Sequence, residues 1–201
     1  MKQGTSASSV WERSRQLASR EIHDTAVRLF LAQGYEETTI ARIAEEAGVS
    51  QRTLFRYFGT KEDIVCGDQD ALGELLRRTV EAQPADVSAW AALRTGFTVL
   101  ATANHSLEET LTLSALIFRT PALRANYVQK RLRWQDDLVP SVRARLRTDR
   151  EGADADHEAR TVIAVSFACA DVATATWIAG GGAEDVGDLY DRALSLARSS
   201  A

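Results

Sequence analysis

The chain has 201 residues, which is enough for one large domain or for a small domain joined to a larger one. Hydrophobic residues make up 45% and charged residues 26%, proportions that exclude a largely disordered chain. The formal net charge of −4 excludes a uniformly basic protein, so any nucleic-acid-binding function must reside in one part of the sequence.

The first twenty residues of the chain are locally basic. They contain four cations and a single acid, Glu12. The cations are Lys2, Arg13, Arg15 and Arg20. We predict that residues 1–12 form a disordered basic arm, which is either a solvated tail or a segment that contacts DNA phosphates.

Almost the whole chain shows the residue pattern of α-helices. Only three prolines occur, and no stretch alternates polar and apolar residues over the length of a strand. The first long helix is predicted from about Arg13 to Gln33, where Gly34 ends it. Thr39 is the predicted N-cap of a short second helix that ends at Ala47.

A tight turn joins the second helix to a short third helix. Gly48 supplies the backbone freedom for this turn, and Ser50 is the predicted N-cap of the third helix, which Gly59 ends. Short helices joined in this way form a helix-turn-helix motif, in which the second helix of the pair faces DNA. The predicted core of the motif consists of Ile43, Ala44, Val49, Leu54 and Phe58.

The third helix is predicted to enter the major groove of DNA. On a helical wheel, Leu54 and Phe58 share the inward face, and the opposite arc is polar or cationic. Arginine can bond two acceptors of guanine, and glutamine can pair with adenine. An ordinary helical hairpin with a solvated polar face is the alternative interpretation. The predicted DNA-contacting residues are Thr39, Arg42, Ser50, Gln51, Arg52, Thr53, Arg56, Tyr57 and Lys61.

The segment from Thr25 to Val65 resembles the DNA-binding domain of the tetracycline-repressor (TetR) family of bacterial transcription regulators. The resemblance implies an all-helical homodimer with a small-molecule pocket in a divergent C-terminal domain. It also implies base contacts from Gln51 and Arg52. The phosphate contacts that it implies are those of Thr39, Thr53, Tyr57 and Lys61. The matching motifs are Phe30, Gly34-Tyr35, Thr38-Thr39-Ile40, Ile43-Ala44, Ala47-Gly48-Val49-Ser50, Thr53-Leu54-Phe55, Tyr57-Phe58 and Lys61-Glu62.

Caps and breakers predict six further helices in the C-terminal part of the chain. Ser106 begins a capping box, and Pro121 is suited to the first position of a helix. Pro140 is expected to kink or end the helix that Pro121 begins. The predicted helices span about residues 60–82, 87–103, 106–119, 121–140, 157–179 and 183–198.

Large apolar side chains of the C-terminal part are candidates for a ligand pocket, although most of them are expected in the core. Asp171, within an apolar helix, is interpreted as the ion-pair partner of an arginine on a neighbouring helix rather than as a ligand contact. Segments 120–138 and 174–182 are similar to actinobacterial family members that sense acyl-CoA-like ligands. The candidate pocket residues are Trp90, Phe97, Phe118, Trp134, Phe167, Asp171 and Trp177.

The segment Thr161–Gly182 is apolar enough to be considered as a membrane span. It is rich in Ala, Ser and Thr, and it carries Asp171, which would cost about 2.5–3.5 kcal/mol at the centre of a bilayer. We therefore predict a buried helix of a soluble protein. Cys66 and Cys169 lie far apart, and no secretory signal precedes them, so a reducing cytoplasm is the expected location.

The last two helices are the predicted dimer interface. Their small and apolar side chains would let a partner helix approach closely. On the first of the two helices these residues are Ala164, Ala168, Ala175 and Ala179. On the last helix they are Leu189, Tyr190, Leu194 and Leu196.

The sequence shows no catalytic or metal-binding constellation. His23, His105 and His157 lack ligand spacing, and no cofactor motif is present, so we predict neither enzyme activity nor a metal or cofactor. The predicted protein is an all-α, ligand-responsive repressor that binds a pseudo-palindromic operator. Its DNA-binding domain spans residues 13–60, and its ligand-binding and dimerisation domain spans 61–201. The alternatives are an activator, and a helical enzyme or ligand-storage module with a degenerate DNA-binding head.

Overall fold

The computed structural model describes residues 5–67, 69–102, 106–146 and 153–199. All regular secondary structure in these residues is α-helical, which confirms the predicted all-α fold. The helices are α1 (Thr5–Gln33), α2 (Ile40–Glu46), α3 (Gln51–Tyr57), α4 (Lys61–Cys66), α5 (Gln69–Glu81), α6 (Ala89–Thr102), α7 (Leu107–Arg119), α8 (Pro121–Arg143), α9 (Ala153–Ala179) and α10 (Val186–Ser199).

The chain divides after Gly67 into two compact units. The N-terminal unit contains α1–α4, and the C-terminal unit contains α5–α10. The predicted boundary lies earlier, at residue 60. The division is later because α4 packs against α1 and buries Ile64, Val65 and Cys66 in the core of the N-terminal unit.

The first helix begins earlier than predicted. It starts at Thr5, whereas the sequence pattern places its start near Arg13 and a disordered arm before it. No glycine or proline occurs between Thr5 and Gln33, so no residue of that segment interrupts the helix. Residues 1–4 of the predicted arm lie outside the described residues. The predicted inward face is confirmed, since its members Ile22, Ala26, Leu29 and Phe30 are buried.

Side-chain caps fix the start of both helices of the helix-turn-helix motif, as predicted. The Thr39 hydroxyl accepts a hydrogen bond from the backbone N–H of Arg42 at 3.1 Å. The Ser50 hydroxyl accepts one from the N–H of Thr53 at 3.0 Å. Gly48 has a φ of 65°, which is the left-handed conformation that the turn between α2 and α3 requires.

The predicted helix at 60–82 is two helices. Gly67, with a φ of 66°, ends α4 after Cys66, and α5 begins at Gln69. The prediction of a single helix is wrong. A glycine in a helical sequence pattern is compatible both with a continuous helix and with a helix end. Here the backbone adopts the left-handed conformation that glycine reaches without strain.

The C-terminal unit is a bundle in which α8 and α9 pack against each other and against the remaining helices. The predicted capping box at Ser106 and the helix start at Pro121 are both confirmed. Pro140 does not end α8, which continues to Arg143. Pro140 itself is exposed, and the buried side chain of Val142 holds the last turn in the core.

The helix α9 is long and apolar enough to cross a membrane, and among the described helices it is the only one that meets this criterion. Central helices of soluble bundles have the same composition. Asp171 forms an ion pair with Arg131 of α8, and buried residues such as Ile163 and Phe167 belong to the bundle core. These contacts agree with the prediction of a core helix.

Candidate nucleic-acid interface and effector region

The third helix presents a polar, cationic face on an apolar base. Leu54 is fully buried and Phe58 is 7% exposed, as the helical wheel predicts. Gln51, Arg52 and Arg56 are exposed. Among the described residues, neither Arg52 nor Arg56 forms an ion pair, so their charges are available to an external anion or a base edge.

Two hydroxyl groups of the predicted DNA-contacting set, those of Thr39 and Ser50, also cap helices. Ser50 and Thr53 share a hydrogen bond of 2.9 Å between their hydroxyls, and Thr39 lies at the start of α2. A helix N-terminus carries unsatisfied N–H groups and a partial positive charge, which both favour an adjacent anion. The caps of α2 and α3 therefore place hydroxyl donors beside two such N-termini.

Arg42 belongs to the predicted contact set, but its guanidinium is already paired. It lies 3.1 Å from Glu45 and 3.0 Å from Glu46, both on the following turn of α2. Glu46 also pairs with Arg28 at 3.1 Å. A phosphate contact by Arg42 would have to compete with these carboxylates, unlike a contact by Arg52.

The ammonium group of Lys61 is bound to the backbone of its own unit. Its Nζ donates to the carbonyl of Tyr35 at 2.7 Å and to that of Thr38 at 3.1 Å. It also lies 3.9 Å from the centre of the Tyr35 ring, within the range of a cation–π contact. These two hydrogen bonds use two of the three ammonium protons. Lys61 therefore joins the start of α4 to the segment before α2.

A partly buried hydrogen bond also joins these two segments. The Tyr35 hydroxyl donates to the Glu62 carboxylate, and burial together with this bond raises the pKa of Tyr35. Burial alone would raise the pKa of Glu62, but the Tyr35 hydrogen bond and the charge of Lys61 lower it below its ordinary value. Tyr35 and Glu62 were not predicted as site residues. Their motifs, Gly34-Tyr35 and Lys61-Glu62, lie far apart in sequence, so their contact could not be predicted.

The candidate pocket residues lie mostly in the core of the C-terminal unit. Trp134 and Phe167 belong to one buried cluster, and Trp177 belongs to a second. Trp90 and Phe97 pack against both clusters. Phe97 lies 5.0 Å from Phe167, edge to face, so these rings form a continuous aromatic contact.

Phe118 is packed differently from the other candidates. Its ring lies 6.3 Å from that of Tyr127, and the guanidinium of Arg124 lies 4.5 Å above it. Trp134 of α8 contacts α5 instead, where its Nε1 donates to the carbonyl of Gln69 at 3.0 Å. The structure therefore brings together part of the candidate set around Phe97.

The ion pair of Asp171 is with Arg131, which confirms the prediction of an arginine on a neighbouring helix. Arg131 is only 8% exposed, and its guanidinium lies 5.0 Å from the Phe167 ring and 5.5 Å from that of Tyr127. Its Nε is buried and has no hydrogen-bond partner. The sequence analysis did not identify Arg131. Asp171, a carboxylate within an apolar helix, was the only feature that predicted a buried cation nearby.

The capped α2–α3 pair with its unpaired cations defines a helix-turn-helix DNA-binding protein. Residues 22–65 match the model of bacterial regulatory proteins of the tetR family, and residues 87–200 match that of the MftR C-terminal domain. The chain belongs to the tetR family, which confirms the resemblance predicted from its sequence. It is a transcriptional regulator and not an enzyme.

Individual relatives support the same assignment. The chain is 32% identical to the HTH-type transcriptional regulator TcmR of Streptomyces glaucescens over 176 residues, 81% of this chain and 76% of that protein. It is 29% identical to MftR of Mycobacterium tuberculosis over 136 residues, 66% of this chain and 68% of that protein. Thermus thermophilus FadR, solved in complex with lauroyl-CoA, shares the fold at a TM-score of 0.51 and 23% identity, covering 89% of this chain and 92% of FadR.

Proposed function

We propose that the protein is a cytoplasmic repressor that binds a pseudo-palindromic operator as a homodimer and releases it when a small hydrophobic or amphipathic ligand binds the C-terminal unit. The observation that carries the proposal is the exposed face of α3, where Arg52 and Arg56 have no ion-pair partner among the described residues. An exposed guanidinium without an internal partner can bond base edges or phosphates without first breaking an ion pair.

The proposed DNA complex follows from the geometry of B-DNA. Two copies of α3 would enter successive major grooves about 34–36 Å apart. In each copy, Gln51 and Arg52 lie at the leading end of the helix, where they read base edges. The hydroxyls of Thr39, Thr53 and Tyr57 contact phosphates beside the groove.

The proposed dimer forms through α9 and α10. An exposed stripe of small and apolar residues runs along α9, where Val172 is 57% exposed. The other members of the stripe are Ala164, Ala168, Ala175 and Ala179. On α10 only Leu196 of the predicted interface residues is exposed, at 63%. The prediction is wrong for Leu189, Tyr190 and Leu194, which are buried against α9 in the core of their own unit. A partner copy would cover this uncharged surface, which a monomer would leave in water.

The proposed effector is an amphipathic molecule such as an acyl-CoA. The fold shared with lauroyl-CoA-bound FadR supports this class. Within the bundle, the rings of Phe97 and Phe167 lie beside the Arg131–Asp171 ion pair, so apolar and charged groups are close together there. Effector binding would favour a state of the dimer with a different separation of the α3 helices, and operator affinity would fall accordingly.

A gel shift with promoter DNA from the genes flanking the coding sequence tests the proposal. The protein should retard this DNA at concentrations that leave a scrambled duplex unbound. An acyl-CoA series added to the complex should release the DNA and quench tryptophan fluorescence over the same concentration range. Equal affinity for both duplexes would refute specific binding to an operator in this promoter DNA. A ligand that saturates the fluorescence change without altering DNA affinity would refute effector release.

A further inference from the structure

We infer that Arg15, on the N-terminal extension of α1, binds a phosphate of the operator backbone beside the end of the recognition helix. The inference rests on the proposed function and adds a contact outside the helix-turn-helix motif. It starts from the place where α1 meets α3, both of which belong to the N-terminal unit.

The N-terminal part of α1 extends beyond the core of its unit. Among its described side chains, Ile22 is the first that is buried, and Arg15 lies two helical turns before it on the same face. Arg15 therefore lies on the face of α1 that is directed towards the other helices of the unit. The helix sets the position of Arg15, and its side chain is exposed to solvent.

Two guanidinium groups meet at one aromatic ring. The Cζ of Arg15 lies 6.0 Å from the centre of the Tyr57 ring, and that of Arg56 lies 5.6 Å from it. Among the described residues, neither arginine has an ion-pair partner and no hydrogen bond joins the Tyr57 hydroxyl to another group. Both cations lie beside the Tyr57 ring, and no described carboxylate neutralises either of them, so a phosphate bound by the Tyr57 hydroxyl would have positive charge nearby.

The position of Tyr57 locates that phosphate. Tyr57 is the last residue of α3, a helix of seven residues that is about 10 Å long. The major groove is about 12 Å wide. When Gln51 at the leading end of α3 reaches base edges, Tyr57 at the other end lies at the rim of the groove, where the sugar–phosphate backbone runs. Arg15 then approaches the backbone from the side of α1.

This contact would carry charge but no sequence information. A phosphate is identical at every base pair, so Arg15 would strengthen binding to operator and to unrelated DNA in the same proportion. Each phosphate neutralised adds about 0.9 to the slope of log affinity against log salt. The dimer has two copies of Arg15, and removing both should lower the slope by about 2.

The experiment compares Arg15→Ala with Arg20→Ala in the full-length protein. Arg20 is also exposed, lies on the same helix, and projects about 140° away from Arg15 around its axis. We expect Arg15→Ala to weaken binding to operator and scrambled duplexes on the order of tenfold per subunit at 0.1 M salt, and to lower the salt slope by about 2. Arg20→Ala should change neither quantity.

A second variant separates a phosphate contact from a structural role. Arg15→Lys keeps the charge and should keep most of the salt slope, whereas a merely structural role through Tyr57 would lower affinity without a change in slope. Thermal denaturation verifies that each variant folds. An unchanged slope for Arg15→Ala, or an equal loss for Arg20→Ala, would overturn the inference. The proposed function would survive both results, because it fails only if the wild-type protein does not prefer its operator.

Discussion

Arg52 and Lys61 carry the same formal charge in different surroundings, and the difference assigns them different roles. Arg52 is exposed at the leading end of α3 and has no ion-pair partner among the described residues. The ammonium group of Lys61 donates two hydrogen bonds, to the carbonyls of Tyr35 and Thr38. One cation is available to a base, while the other stabilises the unit that presents it.

Arg52→Ala should lower operator affinity by about 1–3 kcal/mol and relax the preference at one base pair in each half-site. A guanidinium that bonds two acceptors of guanine carries sequence information, so binding to scrambled DNA should change much less. Titrations on operator and scrambled duplexes measure the effect, with Arg160→Ala in the C-terminal unit as the control for an exposed, ion-paired arginine. Equal losses of affinity on both duplexes would show that Arg52 contacts only phosphate. Gln51 or Arg56 would then be the residue that contacts bases.

Lys61→Ala should lower both the stability of the N-terminal unit and its affinity for all DNA. Removing a charged donor leaves the Tyr35 and Thr38 carbonyls without their partner, at a cost of about 1.5–3 kcal/mol. If the third proton binds a phosphate, the salt slope should fall by about one per subunit. Denaturation and salt titrations measure the two effects separately. Unchanged stability would contradict the structural role, and an unchanged slope would contradict the phosphate contact.

At the scale of the helix, local signals predict some boundaries and miss others. The caps of α2 and α3 could be predicted because Thr39, Ser50 and Gly48 act within a few residues. Gly67 ends a helix, while Gly73 lies within the next one. Sequence alone cannot separate these glycines, because Gly73 is explained by packing. A Cβ there would lie 2.4 Å from the Trp134 ring on α8.

Contacts between segments that are distant in sequence could not be predicted either. Arg145, just beyond α8, donates to the carbonyls of Val80 at 2.8 Å, Gln83 at 2.7 Å and Pro84 at 2.7 Å. These acceptors precede it by about sixty residues. The guanidinium thereby ties the last turn of α5 and the turn that follows it to the end of α8. The buried partner of Asp171 was predictable in kind, as an arginine, but its position was not.

Arg145→Ala should destabilise the C-terminal unit by about 1.5–3 kcal/mol, because several carbonyls lose a charged donor at once. Arg143→Ala is the matched control, since Arg143 makes an exposed ion pair with Asp156 whose loss should cost less than about 1 kcal/mol. Chemical denaturation of both variants provides the comparison. Similar destabilisation by the two substitutions would show that Arg145 does not hold the end of α5.

At the scale of the whole molecule, the proposed function requires two copies. A single α3 of seven residues presents only a few side chains to DNA, so specific affinity depends on two linked half-sites. The exposed stripe of α9 is the surface proposed to join them.

Ala168→Arg should convert the dimer into a monomer and abolish operator binding in the same step. Ala168 is exposed on the α9 stripe, and a guanidinium there would face its symmetry mate across the proposed interface. Ala91→Arg, at an exposed position of α6, is the control that adds the same charge elsewhere. Light scattering at micromolar concentration gives the mass of each variant. A dimeric Ala168→Arg protein, or a monomeric wild type, would contradict the interface.

The most direct test of the central claim is selection of bound fragments from genomic DNA, followed by footprinting of the enriched fragments. A dimer that reads DNA with two copies of α3 predicts a two-fold symmetric footprint, with half-site centres separated by about 10–10.5 base pairs or a multiple of that spacing. Selections with Arg52→Ala at the same salt concentration should enrich these sites less strongly, with a relaxed base preference at one position in each half-site. Fragments recovered without a shared symmetric sequence would contradict the account, because the exposed face of α3 would then bind DNA only through its charge.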